Sequence, residues 1–236
     1  MGELLQELKD LVLPVDCAGC GAPRTVVCAE CRRALTGQRP RPVRPAHPVP
    51  GVPAVHAAAR YADAVRSMLL AHKERGATGL ARVLGGALAA AVRASVTERT
   101  AGPVLLVPVP SARRAVAARG HDPVRRMARE AAGELRRSGL AARSLPVLRQ
   151  RRLVADQSGL SARARWDNLA GALETVPGAR KLLCGGKVVL VDDLMTTGAS
   201  LAEAARAIRA EGPGAGGAAV VAATGNASST DRGAAP

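Results

Sequence analysis

Four of the five cysteines stand in two close pairs near the start of the chain, Cys17 with Cys20 and Cys28 with Cys31. Each Cys-x-x-Cys turn lets two thiolates point at one centre, and four thiolates complete the tetrahedral set that Zn²⁺ prefers. A closed site of this kind serves folding or docking rather than catalysis. The spacing predicts a structural Zn²⁺ site, with an iron–sulfur or redox pair and unmetallated thiols as the alternatives. The fifth cysteine, Cys184, is expected to be a small buried residue.

A second group of candidate residues lies in the stretch 188–200, which reads Val-Val-Leu-Val-Asp-Asp-Leu-Met-Thr-Thr-Gly-Ala-Ser. Ligands of open α/β sheets bind at the carboxyl ends of buried strands, where this pattern places two carboxylates and a hydroxyl-rich loop. Backbone N–H groups and hydroxyls at a helix N-terminus suit a phosphate dianion. The predicted phosphate-binding residues are Thr196, Thr197, Gly198, Ala199 and Ser200.

The adjacent carboxylates of Asp192 and Asp193 would accept hydrogen bonds from vicinal hydroxyl groups, and at most one of them would contact a water bound to Mg²⁺. Two carboxylates beside a phosphate repel it unless sugar hydroxyls separate the charges. A phosphorylated ribose satisfies both requirements. The alternative interpretation is a strand, turn and helix with acidic surface residues and no ligand.

The same stretch resembles, at every position, the 5-phosphoribosyl 1-diphosphate (PRPP) signature of type I phosphoribosyltransferases. Further segments are similar to the ComF/GntX family within that group. These segments are the Cys-x-x-Cys pairs, Leu-Ala-His-Lys-Glu-Arg-Gly at 70–76, Val-Pro-Val-Pro at 107–110, Arg119-Gly120, Gln157, Leu160, Arg165, Asn168 and Gly171-Ala172. The chain departs from the family at His121, Asp122 and Pro123, where an aromatic residue, Asn and Gln are usual.

The resemblance implies a PRPP- and Mg²⁺-dependent transferase in which a nitrogen nucleophile of unknown identity displaces pyrophosphate. It assigns Asp192 and Asp193 to the catalytic site and places the pyrophosphate at the loop 110–120. The residues expected to bind the diphosphate are Lys73, Arg113, Arg114, Arg119 and Gly120. The segment 149–168, with Gln157 and Arg165, would close over the site.

The same resemblance supports a rival function, a non-catalytic module for competence and DNA uptake. The ComF family is associated with a helicase-like partner that moves single-stranded DNA. Such a module would sense PRPP or dock a partner, and its basic residues would contact DNA phosphates.

Charge and composition limit these functions. The 236 residues carry a formal net charge of +15, and the segment 107–152 alone has 12 basic and 3 acidic side chains. This excess points to an anionic partner, although abundant Arg, Ala and Gly are also what a GC-rich genome imposes. Aromatic residues make up only 1% of the chain, which argues against nucleic-acid binding by stacking on several rings.

The elements that must position these residues alternate between helix and strand along the chain. Two helices are predicted around Val65 to His72 and Leu80 to Ala91, before the first clear strand. The later predictions are a strand at Val104–Val109, a helix at Pro123–Arg137, a strand at Lys187–Val191, a helix at Ala199–Glu211 and a strand at Ala218–Ala223. The predicted fold is α/β, a doubly wound mostly parallel sheet with a small N-terminal zinc-finger module.

The chain is expected to divide into four parts. An N-terminal helix and the four-cysteine finger occupy 1–36, a Pro-rich linker 37–53, the phosphoribosyltransferase-like domain 54–224, and a disordered tail 225–236. The six prolines of the linker favour extended backbone, which would hold the two modules apart. Neither a secretory signal nor a membrane span is recognisable, so a cytoplasmic protein is expected.

Overall fold

A six-stranded sheet with helices on both faces forms the centre of the computed structural model, which describes residues 16–96, 102–152, 168–212 and 214–224. Its strand order is β1-β2-β8-β7-β3-β4, and only the β1–β2 pair is antiparallel. The strands are β1 (Arg41–Val43), β2 (Val55–Arg60), β3 (Val104–Pro108), β4 (Ala142–Ser144), β7 (Lys187–Met195) and β8 (Gly217–Ala223). A separate antiparallel hairpin pairs β5 (Leu148–Gln150) with β6 (Leu173–Thr175).

Helices cover the sheet on both sides because its central strands are apolar on both faces. One core lies under α1 (Ala29–Thr36), α2 (Asp63–Glu74), α3 (Ala81–Ser95) and α5 (Pro123–Arg137). The opposite core lies under α6 (Ala179–Leu183), α7 (Ala199–Arg209) and the β5–β6 hairpin. A short helix, α4 (Arg113–Arg119), follows β3. The predicted α/β fold with a doubly wound, mostly parallel sheet is confirmed.

Several element predictions are exact or close, and one is wrong. Helix α5 has the predicted bounds, and α7 ends two residues earlier than expected. Strand β7 continues to Met195, so the two carboxylates lie within the strand rather than after it. The expectation that helices precede the first strand is wrong, because β2 comes before α2. Its sequence, Val-His-Ala-Ala-Ala-Arg, contains few residues with high strand propensity, which left no signal.

The Pro-rich segment does not hold the N-terminal module away from the sheet. Its residues Arg41–Val43 pair with β2 as an edge strand, where the missing N–H of Pro42 is tolerated. Leu35 of α1 is fully buried in the same core as Met68 of α2. Burial of these side chains favours contact over separation. The four-part division of the chain stays a prediction.

The predicted helix before Cys17, most of the segment 149–168 and the predicted tail 225–236 fall outside the described residues. Within the described ranges, none of the helices combines the length and the apolar character needed to cross a bilayer.

Candidate functional site

Two buried carboxylates lie at the carboxyl end of β7. Asp192 is 9% exposed and Asp193 is 6% exposed, and the backbone N–H of Asp193 donates to Asp192 Oδ1 at 2.8 Å. Burial, followed by the neighbouring charge of Asp193, raises the pKa of Asp192 well above its ordinary value. The pair therefore favours a positive charge or several hydrogen-bond donors next to it. The carboxylate oxygens are also the kind of ligand that suits a hard cation such as Mg²⁺.

Lys73 supplies that positive charge from the last turn of α2. Its Nζ lies 3.1 Å from Asp193 Oδ2, and the negative charge of Asp193 raises the pKa of Lys73. The preceding residue, His72, is 1% exposed, and its ring nitrogens face the carbonyl oxygens of Ala77 and Pro123 at 3.2 and 3.4 Å. These contacts hold the end of α2 beside the start of α5.

The hydroxyl-rich loop curves around an open cavity at the N-terminus of α7. The cavity is lined by Asp192 and residues 194–201. The backbone N–H of Ala199 lies 3.4 Å from Thr197 Oγ1, and Gly198 has φ +77°. The structure thus brings all five predicted phosphate-binding residues and one of the carboxylates to a single concave surface.

The Pro-rich segment forms a wall behind this loop, a contact that sequence reasoning missed. A Cβ atom on Gly198 would lie 3.1 Å from Val52 Cγ2 and 3.6 Å from Pro45 Cγ. Glycine is therefore required here both for the positive φ and for the close approach. No motif in the sequence links residues 45–52 to the loop, because the contact depends on how the chain crosses the sheet.

The three arginines predicted at the diphosphate lie on a short helix, α4, within the segment 110–120 that was expected to be a loop. Arg113 and Arg114 are exposed at its start, and Gly120 ends it. The guanidinium of Arg119 is bonded within the protein. Its Nη1 donates to the carbonyl oxygen of Lys73 and its Nε to that of Ala115, both at 2.8 Å. The remaining two predicted residues, Gln157 and Arg165, lie outside the described residues.

The departures from the ComF pattern have structural roles around α5. Asp122 caps this helix, because its Oδ1 accepts a hydrogen bond from the Arg125 N–H at 3.1 Å. Nδ1 of His121 lies 3.1 Å from the carbonyl oxygen of Arg119. Residues 121–123 therefore connect α4 to α5 at the edge of the site.

The β5–β6 hairpin joins the two sides of the site through bonds that the sequence did not reveal. Gln150 accepts hydrogen bonds from Arg113, and its register partner Leu173 is held by α7. Glu203, 2% exposed, accepts from the Leu173 N–H at 2.9 Å, and Arg206 donates to the Leu173 carbonyl oxygen at 2.8 Å. The only local sequence signal for these bonds is the three-residue spacing of Glu203 and Arg206. By itself this spacing predicts an ion pair on the surface of a helix, not a contact with Leu173.

Burial of Glu203 acts to raise its pKa, but the hydrogen bonds from Arg206 and from the Leu173 N–H outweigh it, so the pKa is lowered. Glu203 is thus ionised at neutral pH and holds the hairpin against α7 as a carboxylate.

The four predicted zinc ligands converge on one point in the N-terminal module. Their Sγ atoms all lie within 4.8 Å of one another, and Cys20 Sγ is 3.7 Å from Cys28 Sγ. A tetrahedral ion with Zn–S bonds of about 2.3 Å needs sulfur atoms about 3.8 Å apart, so the cluster could hold a metal ion such as Zn²⁺. The fifth cysteine, Cys184, is exposed rather than buried as expected.

A backbone N–H group supports a thiolate at Cys17, whereas burial raises the pKa of Cys31. Burial opposes ionisation of Cys17, but N–H donors led by that of Cys28 lower its pKa to about 6. Gly19 lies against the cluster, and a Cβ atom there would be 2.6 Å from Cys31 Sγ and 3.1 Å from Ala64 Cβ of α2. The turn therefore packs tightly between the sulfur atoms and the body of the protein.

Comparison with known families gives a match to the second half of the chain. The phosphoribosyl transferase domain matches residues 116–233, which is half of the chain. The matched region contains both carboxylates and the whole hydroxyl-rich loop, whereas Lys73 and the four cysteines precede it. No curated protein matches the chain.

Proposed function

We propose that this chain, which belongs to the phosphoribosyl transferase domain family, binds PRPP together with Mg²⁺ and acts on it as a ComF-type phosphoribosyltransferase. The observation that supports this best is the cavity at the end of β7, where the phosphate loop and a buried carboxylate line the same surface. A phosphorylated sugar presents both an anion for such a loop and vicinal hydroxyls for the carboxylates.

In this proposal each group of site residues binds a different part of PRPP. The backbone N–H groups and hydroxyls of residues 196–200 bind the 5-phosphate. Asp192 and Asp193 accept hydrogen bonds from the ribose hydroxyls. Arg113 and Arg114 bind the diphosphate from the start of α4, together with Lys73.

Mg²⁺ would neutralise diphosphate charge and make the diphosphate a better leaving group, and the carboxylates would hold it through water. The chain's own residues contribute position and charge rather than a nucleophile. They fix the anomeric carbon for attack by a nitrogen acceptor and place cations where negative charge develops on the leaving group.

The four-cysteine module would hold Zn²⁺ and support the fold. Thiolate ligands and PRPP both fit a reducing, cytoplasmic setting.

Calorimetric titration with Mg²⁺-PRPP tests the binding site. The parent protein should bind, and the double variant Asp192→Asn with Asp193→Asn should lose at least about a hundredfold in affinity, since two charge-assisted hydrogen bonds disappear. Glu134→Gln, at an exposed ion pair on α5, is the matched control and should bind like the parent. Absence of binding by the parent would refute the proposal.

Turnover is tested separately by pyrophosphate release with purines, pyrimidines and small amines as acceptors. Release with one class identifies an enzyme and its acceptor. Binding of PRPP without release in any case indicates a sensor.

The second candidate function, a competence module that binds single-stranded DNA and a helicase-like protein, is favoured by the basic surface of α5. Arg126, Arg129, Arg136 and Arg137 are exposed along this helix. Affinity for an oligonucleotide should then fall steeply with salt, and Arg126→Ala with Arg129→Ala should reduce the slope by about two. No binding at low salt would exclude direct DNA contact.

A further inference from the structure

The ammonium group of Lys73 lies beside the two carboxylates of Asp192 and Asp193, at a position where a bound cation would contact them. Its Nζ is 3.1 Å from Asp193 Oδ2, and the Asp193 side chain is only 8% exposed. Among the described residues, no second basic side chain forms an ion pair with Asp192 or Asp193. Within the described part of the chain, Lys73 is therefore the one protein cation that forms an ion pair with these buried carboxylates.

The Lys73 side chain is also able to leave this position. It is 39% exposed, in contrast to the buried carboxylate that it contacts. A lysine stem has four rotatable bonds and an ammonium group that is readily hydrated, so the side chain can turn away once another cation neutralises the carboxylate. The ion pair is thus accessible to competing ions from solvent.

The backbone of Lys73, by contrast, is fixed by Arg119. Arg119 Nη1 donates to the Lys73 carbonyl oxygen at 2.8 Å, and the guanidinium lies 3.7 Å from Glu74 Oε1. The Arg119 side chain is 12% exposed and also donates to Ala115 O within α4. The last turn of α2 is therefore attached to the helix that carries the other basic residues.

We propose that Lys73 is a tethered cation that occupies the acidic pair until Mg²⁺-PRPP arrives and then turns to the diphosphate, and that Arg119 is the positioning residue that holds it within reach of both. This role rests on the proposed function. Free Mg²⁺ competes poorly with the tethered ammonium, so the metal enters the site bound to the diphosphate. Arg119 acts through Lys73 and does not itself contact the ligand.

The test is a pair of calorimetric titrations, one with MgCl₂ alone and one with Mg²⁺-PRPP. Lys73→Met keeps the length of the stem and removes its charge. It should raise the affinity for free Mg²⁺ about tenfold, because the free protein loses the ion pair that competes with the metal. The affinity for Mg²⁺-PRPP should change by a smaller factor, because one ion pair is lost from the free protein and one from the complex. Lys73→Arg should resemble the parent in the MgCl₂ titration. Lys181→Met, at an exposed lysine of α6, should change neither affinity.

Arg119→Gln should shift the affinity for free Mg²⁺ in the same direction as Lys73→Met but less, and it should add little when combined with it. Mg²⁺ avoids thiolate ligands, so the four-cysteine cluster does not contribute to the MgCl₂ titration. Equal Mg²⁺ affinity of parent and Lys73→Met would overturn the inference. A parent that fails to bind PRPP, with the Mg²⁺ effect present, would instead refute the proposed function and leave Lys73 as the counter-ion of the pair.

Discussion

Gln150 and Arg113 are joined by two hydrogen bonds although 37 residues separate them in sequence. Gln150 Oε1 accepts from the Arg113 backbone N–H at 3.3 Å, and the Gln150 carbonyl oxygen accepts from the Arg113 guanidinium at 2.9 Å. The β5–β6 hairpin thus holds the start of α4, while its other strand is bonded to α7. The proposed diphosphate and phosphate sides are linked through this hairpin.

Gln150→Leu should therefore weaken the diphosphate side alone. Loss of the side-chain acceptor removes one of the two hydrogen bonds that hold the start of α4 and costs about 1 kcal/mol, which is about a fivefold loss of affinity for Mg²⁺-pyrophosphate. Affinity for ribose 5-phosphate, which needs only the phosphate loop and the carboxylates, should be unchanged in calorimetry. Gln150→Glu keeps an acceptor and serves as the control. Equal weakening of both ligands would show that Gln150 supports the fold in general.

Glu203→Gln should destabilise the protein in a pH-dependent manner. Glu203 is only 2% exposed, and its carboxylate accepts a hydrogen bond from Arg206. Removing this negative charge should lower the free energy of unfolding by about 2 kcal/mol. The pKa of Glu203 is lowered below 4.5, so this stabilisation is complete above pH 4.5 and disappears as the pH falls through the lower folded value.

Urea unfolding at pH 7 and at several values below 4.5 measures the difference between the parent and this variant. The exposed pair of Glu134 and Arg137 gives the control, because Glu134→Gln should cost less than about 0.5 kcal/mol at every pH. A difference that stays constant into the acid range would contradict the assignment of an ionised Glu203.

Gly198→Ala should weaken phosphate binding at the loop. Alanine at φ +77° costs about 1–2 kcal/mol, and its Cβ would also lie 3.1 Å from Val52 Cγ2, so the loop or the Pro-rich wall must move. Gly139→Ala is the matched control, since it has φ +81° and open space around its Cβ. Both variants should lose stability on thermal unfolding, but only Gly198→Ala should lose affinity for ribose 5-phosphate. Equal affinities would show that the wall does not constrain the loop.

Gly19→Ala should impair metal binding by the four cysteines. Its Cβ would be 2.6 Å from Cys31 Sγ, which pushes that sulfur away from the other three. Metal analysis should give one Zn²⁺ per chain in the parent, purified without chelator, and a reduced content in the variant. Gly21→Ala has φ +79° but no atom within 4 Å of its Cβ, so it tests backbone strain alone and should retain the metal. A parent without Zn²⁺ would contradict the metal site.

Local spacing was sufficient to predict several features of the protein. The two Cys-x-x-Cys pairs converge as expected, because each turn is short enough to fix its own two sulfur atoms. The stretch 188–200 folds as strand, loop and helix because its apolar run and its loop glycine act within a few residues. The same local signals yielded the α5 helix and the mostly parallel sheet.

Contacts between distant segments were decided only by the tertiary structure. Arg119 was expected at the diphosphate, yet it binds the carbonyl oxygen of Lys73, because α2 and α4 end side by side. The Pro-rich segment became an edge strand and a wall of the phosphate loop, since the sheet offered β2 as a partner. A side chain's hydrogen-bond partner depends on which elements the fold brings together, and residue type and spacing contain no record of that arrangement.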